Sequence, residues 1–236
     1  MKTDDLIALL AREPAPPPGS HVPARRFSLG IVAGLGTSCA LMLGLLGLRP
    51  DLAQVIHDPM FWVRLAFPLA VGASALLITL RLSRPGVAVG GGRWLGLAVS
   101  VLLAWALAGV VLGEVPAGDR GALVLGHTWK VCSTLIAILS LPSIVAVFWA
   151  VRGMAPVRLR LAGAMAGLLG GAMAATAYCL HCPEMAPPFW SLWYLLGMVV
   201  AGGIGALAGP RWLRWERDRA VGFRVGEGLQ TFFRKA

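Results

Sequence analysis

Long apolar stretches recur along the chain at the length that a lipid bilayer sets. Phe27 to Leu48 passes without a charge, and Phe61 to Leu80 carries only Arg64 near its start. Trp94 to Leu112, Val131 to Val151, Leu161 to Leu180 and Phe189 to Gly209 continue the series. A hydrocarbon core about 30 Å thick needs roughly 20 residues of helix to cross it. Backbone groups in lipid find no water, so each stretch must satisfy its own N–H and C=O groups as a helix. The pattern predicts an all-α fold, a polytopic membrane bundle of six transmembrane helices. An even number of crossings returns the chain to the side on which it starts.

Composition agrees. Hydrophobic residues fill 57% of the 236 positions and charged residues only 14%, and the mean hydropathy is +0.74. That balance lies outside the range of ordinary soluble domains. A net charge of +10 raises the question of nucleic acid, but the basic residues form short clusters beside the apolar runs and not a face of a domain. They read as topology signals. Of the 21 Lys and Arg, all but Arg49, Arg64, Arg120 and Lys130 fall on the side that holds both termini. Because cytoplasmic loops retain Lys and Arg, the expectation is a multi-pass membrane protein with cytoplasmic N- and C-termini. The first 26 residues place acids early and Pro14 to Pro18 ahead of any apolar core, so they do not read as a secretory signal.

The spans are nearly free of ionisable groups, and apart from hydroxyls such as Ser38, Thr79 and Ser100 they are apolar. Ion and proton pathways need such groups, which disfavours charge-coupled transport. Small residues recur at helical spacing in Gly30/Gly34, Gly163/Gly167/Gly171 and Gly205/Gly209, and the expectation is close helix packing within the bundle. Trp62, Trp94, Trp129, Trp149, Trp190, Trp193 and Trp212 lie near span ends and read as anchors in the headgroup zone.

Two segments outside the lipid carry chemistry. At the N-terminus Thr3 is a candidate helix cap, and Asp4 and Asp5 favour the helix dipole in the first turn. Leu6, Leu9 and Leu10, with Ile7 beside them, form an apolar face. A helix this short needs a surface to bury its leucines. Its acidic polar face opposes anionic lipid, so a partner's groove fits better, with Pro14 to Pro18 as a stiff spacer.

The second segment is a cysteine group. Cys132 opens the fourth span after His127-Thr-Trp-Lys130, and Cys179-Leu-His-Cys182-Pro-Glu184 closes the fifth. Antiparallel neighbours bring both to the same outer edge, with His127, His181 and Glu184 as candidate auxiliary or metal-ligating groups. An inert disulfide and a sensing or redox site are both compatible with the spacing. Cys39 lies in mid-span and reads as packing.

At these residues the sequence resembles the NrsF-type family of bacterial membrane anti-sigma factors. The motifs are Thr3-Asp-Asp-Leu-Ile7 with Leu10, Trp129-Lys-Val-Cys132, Leu139-Ser-Leu-Pro142, His181-Cys-Pro-Glu-Met185 and Trp193-Tyr194, and the resemblance runs over about residues 1–215. It implies that residues 1–26 hold an extracytoplasmic-function sigma factor at the membrane. It also implies that Cys132 and Cys182 respond to heavy metals or oxidants; no cofactor is expected beyond a transient heavy-metal ion at the cysteine site, and no direct contact with nucleic acid. Residues 27–209 would be the transmembrane domain and 210–236 a basic cytoplasmic tail. Cys179 and the tail from Arg217 lie outside the pattern. The competing readings are a thiol-disulfide oxidoreductase of the DsbB type, which lacks a second outer pair here, and a metal or small-solute transporter.

Overall fold

A computed structural model of the protein describes residues 22–84, 89–152, 154 and 156–214. Among them eight helices form: α1 Val22–Leu45, α2 Leu52–Val55, α3 Pro59–Leu82, α4 Gly91–Glu114, α5 Arg120–Leu125, α6 Trp129–Arg152, α7 Leu159–Tyr178 and α8 Pro187–Trp212. There is no strand among the described residues. The long helices are six, each apolar enough to cross a membrane, and the short α2 and α5 lie in connections at one end. The amphipathic N-terminal segment and the basic tail beyond residue 214 fall outside the described residues.

Helix α7 is the centre, packed against α8, α6, α3 and α1. Its composition explains the position. Without a hydrophobic drive between helices in lipid, tight association requires backbones to approach closely, and only small residues allow that. A Cβ on Gly163 would overlap the Gly205 carbonyl oxygen and lie 2.9 Å from the Gly209 Cα. One on Gly171 would lie 2.9 Å from the Met198 Cα of α8. Gly30 and Gly34 do the same for α1 on α6, facing the Ala146 carbonyl and the Ser143 Cα at 3.0 and 3.2 Å. The small-residue pairs therefore serve contacts within the bundle. Helix α4 is outermost, resting on α3 and α8 and burying only Ala104 and Ala108.

The up-and-down order gathers Arg25, Arg26, Arg81, Arg84, Arg93, Arg152, Arg158, Arg160, Arg211 and Arg214 at one end, the basic end. Cys132, Cys179 and Cys182 mark the opposite, thiol end. Arg49 and Arg64 also lie at the thiol end, the side on which the sequence placed them, and both are buried, at 7% and 0% exposed. Trp190 is no headgroup anchor. It is 1% exposed and packs on Phe67 with ring centroids 5.6 Å apart, because it starts α8 on the face that meets α3. Trp129 and Trp193 pack on each other at 5.5 Å, whereas Trp62, Trp94, Trp149 and Trp212 are exposed to the surroundings.

Candidate functional site

The thiol end is assembled from three helix termini and one loop. Cys132 sits in the first turn of α6, its N–H donating to the Thr128 carbonyl at 3.0 Å. The fifth span ends at Tyr178 and not at Leu180, and Cys179 is its C-cap. The chain then tightens, so that the Cys182 N–H donates to the Tyr178 carbonyl at 3.0 Å. Cys132, Cys179 and Cys182 are each 0% exposed and all are free thiols. The Cys132, Cys179 and Cys182 side chains are near neighbours. Both of the chain's 2 tyrosines wall this cluster, Tyr178 and Tyr194, with ring centroids 5.9 Å apart.

The last carbonyls of α7 are taken by the tightening turn itself, the Leu180 N–H donating to the Ala177 carbonyl at 3.1 Å and the His181 N–H to the Tyr178 carbonyl at 3.0 Å, and the carbonyls beyond the helix end need donors from elsewhere. Arg64, one turn and a half into α3, donates through Nη2 to the Cys179 carbonyl at 2.7 Å. Its Nη1 donates to the Cys182 carbonyl at 3.0 Å and also to the Glu184 carbonyl. Arg49 adds a second guanidinium. Its Nη1 donates to the Cys182 carbonyl at 3.1 Å, while Nε and Nη2 form a two-pronged pair with Asp51, both at 2.7 Å. The Arg49 backbone N–H donates to the Leu180 carbonyl at 3.2 Å. Gly47 makes this approach possible: at φ 76° it turns the chain out of α1 in the left-handed region that side chains avoid. Its carbonyl lies 3.0 Å from His181 Nδ1.

These surroundings separate the thiols chemically. Cys182 is held below the ordinary thiol range, first by its neighbour Cys132. Burial opposes this, and the Glu184 backbone and the Arg64 charge add to the lowering. Burial pushes Cys179 up to about 12, only partly offset by Arg64. A thiolate is the nucleophile and the soft-metal ligand, and the surroundings favour that form at Cys182 over Cys179.

The remaining sequence candidates hold loops. Glu184 Oε1 accepts from the His127 backbone N–H at 2.7 Å and lies 3.4 Å from His127 Nδ1, the His127 side chain being 98% exposed. Gly126, before it, sits at φ 56°, and a Cβ there would be 2.7 Å from Phe189 and 2.9 Å from Glu184. Among the described residues no three of His, Cys, Asp and Glu gather as a metal site. Asp4, Asp5, Leu6, Ile7, Leu9 and Leu10 lie outside the described residues. The sequence reading missed Arg49, Arg64, Tyr178 and Tyr194 as parts of the site. A lone arginine within an otherwise apolar span was the available signal, since such a charge must be held by something.

Fold and site define a polytopic helical membrane protein with a buried thiol cluster at one end, clamped by two arginines. The chain belongs to the NrsF family, negative regulators of sigma F, whose model matches residues 10–215. It is 44% identical over 217 residues to the probable anti-sigma-F factor NrsF of Azospira oryzae. It is 45% identical over 227 residues to the anti-sigma-F factor NrsF of Caulobacter vibrioides. Each comparison covers 91% of this chain and 100% of the relative. No solved structure matches the chain significantly. The family is one of regulators.

Proposed function

We propose that this protein is an inner-membrane anti-sigma factor with both termini in the cytoplasm. In this reading residues 1–26 capture an extracytoplasmic-function sigma factor, and the thiol end, facing the periplasm, receives the signal that frees it. Family membership supports the sigma-factor partner, and the basic end supports the orientation. The observation that carries the sensing role is that Cys132, at the start of α6, and Cys182, in the loop after α7, are free, fully buried thiols gathered at the same end of the bundle. An oxidant takes two electrons and the two thiol protons leave as the S–S bond forms. A soft heavy-metal ion instead displaces both protons and bridges the sulfurs. Either event puts a short, stiff link between the start of α6 and the loop after α7 and changes how the two helices meet. Nothing in this scheme requires catalysis, and Cys39, on α1, supplies no second pair for electron relay to a quinone.

The test uses the full chain in membrane vesicles loaded with its sigma factor. Cadmium ion or a thiol oxidant should release the sigma factor from the wild type, and a Cys132→Ser/Cys182→Ser protein should retain it. Equal release from both would refute the sensing role. A Leu6→Ala/Leu10→Ala protein that inserts normally should capture no sigma factor at rest, and undiminished capture would refute the N-terminal assignment.

A further inference from the structure

Proline has no N–H, so Pro142 inside α6 leaves the Ile138 carbonyl without its helical donor and weakens the helix at that turn. Helix α6 has different partners on the two sides of this turn. Toward the thiol end it is fixed to α8: Ser133 Oγ donates to the Trp193 carbonyl at 2.8 Å, and a Cβ on Gly197 would lie 2.8 Å from the Ile136 Cβ. From the turn toward the basic end it is fixed to α1. Ser143 Oγ lies 2.7 Å from the Gly34 carbonyl oxygen, and Ser38 Oγ lies 2.8 Å from the Leu139 carbonyl oxygen. Further along, Gly30 rests on Ala146 and Ala150, and the Arg26 guanidinium lies 4.8 Å over the Trp149 ring.

The two serine hydroxyls are themselves 2.6 Å apart, and both residues are 0% exposed. Two hydroxyl protons therefore serve three short oxygen contacts. With one proton between the serines, the other bonds either to the Leu139 carbonyl on α6 or to the Gly34 carbonyl on α1. The joint has two arrangements of nearly equal bonding, the kind of element whose balance a small displacement tips.

We propose that the Ser38–Ser143 joint at Pro142 is the coupling element that passes the state of the thiol pair from α6 to α1, and so to the N-terminal segment. Cys132 and Ser143 are on the same helix, about 16 Å apart at ~1.5 Å rise per residue, and Ser38 to Arg26 along α1 is about 18 Å. Together these distances cross the ~30 Å of hydrocarbon. The inference rests on the sensing role proposed above.

The experiment follows two readouts in the same vesicles: the Cys132–Cys182 disulfide by mass spectrometry after oxidant, and sigma factor released. Ser38→Ala/Ser143→Ala removes both partners together, leaving neither hydroxyl stranded. It should form the disulfide as the wild type does and capture sigma factor at rest, yet lose about five-fold or more of the release. If the double variant fails to insert, Ser38→Ala, which keeps the Ser143 bond to Gly34, is read instead and should show the same separation. Disulfide formation with wild-type release would overturn the inference and leave the sensing role standing. Wild-type release from Cys132→Ser/Cys182→Ser would overturn the sensing role and the inference with it.

Discussion

Replacing Arg64 by Met keeps much of the side-chain volume and removes the guanidinium that closes the thiol end. Three carbonyls lose a donor: Cys179, Cys182 and Glu184. Cys182 keeps Arg49 at 3.1 Å, so the loss falls on two. A hydrogen bond from a charged donor contributes about 1.5 kcal/mol or more. The loop after α7 therefore opens with about 3 kcal/mol less to break, which raises its open population roughly a hundredfold. Global stability changes less, because the cost of burying the guanidinium disappears as well. The assay is the labelling rate of Cys182 by a maleimide in native membranes at fixed pH, read on its peptide by mass spectrometry. Arg64 also helps hold Cys182 below the ordinary thiol range, so its loss reduces the thiolate fraction. The measured acceleration is then a lower bound on loop opening. Arg64→Lys, a single point donor, should fall between wild type and Met. A stably inserted Arg64→Met protein whose Cys182 labels within about two-fold of the wild-type rate would refute the argument that these bonds hold the loop shut.

Gly205→Ala should lower the thermal stability of the purified protein by about 1–3 kcal/mol, because its Cβ would overlap the Gly163 carbonyl and lie 2.8 Å from the Gly167 Cα, both backbone. Gly203→Ala, with nothing within 4 Å of the new Cβ, is the control, and equal unfolding midpoints would contradict the packing argument. Arg49 holds the Asp51 carboxyl below its ordinary value of 3.8. The pair thus stabilises above that value and its contribution fades as pH falls through the depressed one. Unfolding midpoints measured down the acid range should show this loss in the wild type and not in Asp51→Asn. Cys179→Ser should leave signal-induced release of the sigma factor intact, since burial keeps that thiol protonated while Cys182 reacts. Loss of release would move Cys179 into the reacting pair.

The spans were legible because lipid imposes a length and forbids charge, and the uncharged runs display both constraints directly. Their ends were less legible, for reasons that particular residues show. Helix α3 starts ahead of its apolar run because Pro59 fits the first helical position and the Asp58 carboxylate accepts from the Met60 N–H at 2.9 Å. Helix α7 stops short of Leu180 because the chain tightens there into turns closed by the Ala177 and Tyr178 carbonyls, and guanidinium groups from elsewhere hold the carbonyls that follow, at Cys179, Cys182 and Glu184. The thiol site divides in the same way. Two of its cysteines are placed by helix order alone, since antiparallel neighbours must bring Cys132 and Cys182 to one edge. What clamps them depends on Arg64 meeting carbonyls 115 to 120 positions away, and no local pattern encodes a contact of that span. Yet a charge inside an apolar helix is too costly to leave unheld, and the chain's 2 tyrosines both lie beside the thiols. Rarity against the lipid background was the usable signal for both. The same reasoning applies to Ser38 and Ser143: the sequence shows them only as tolerated hydroxyls, whereas the bundle pairs them at the one turn of α6 that Pro142 has weakened. A polar group in a membrane helix acquires its meaning from what the neighbouring helix sets opposite it.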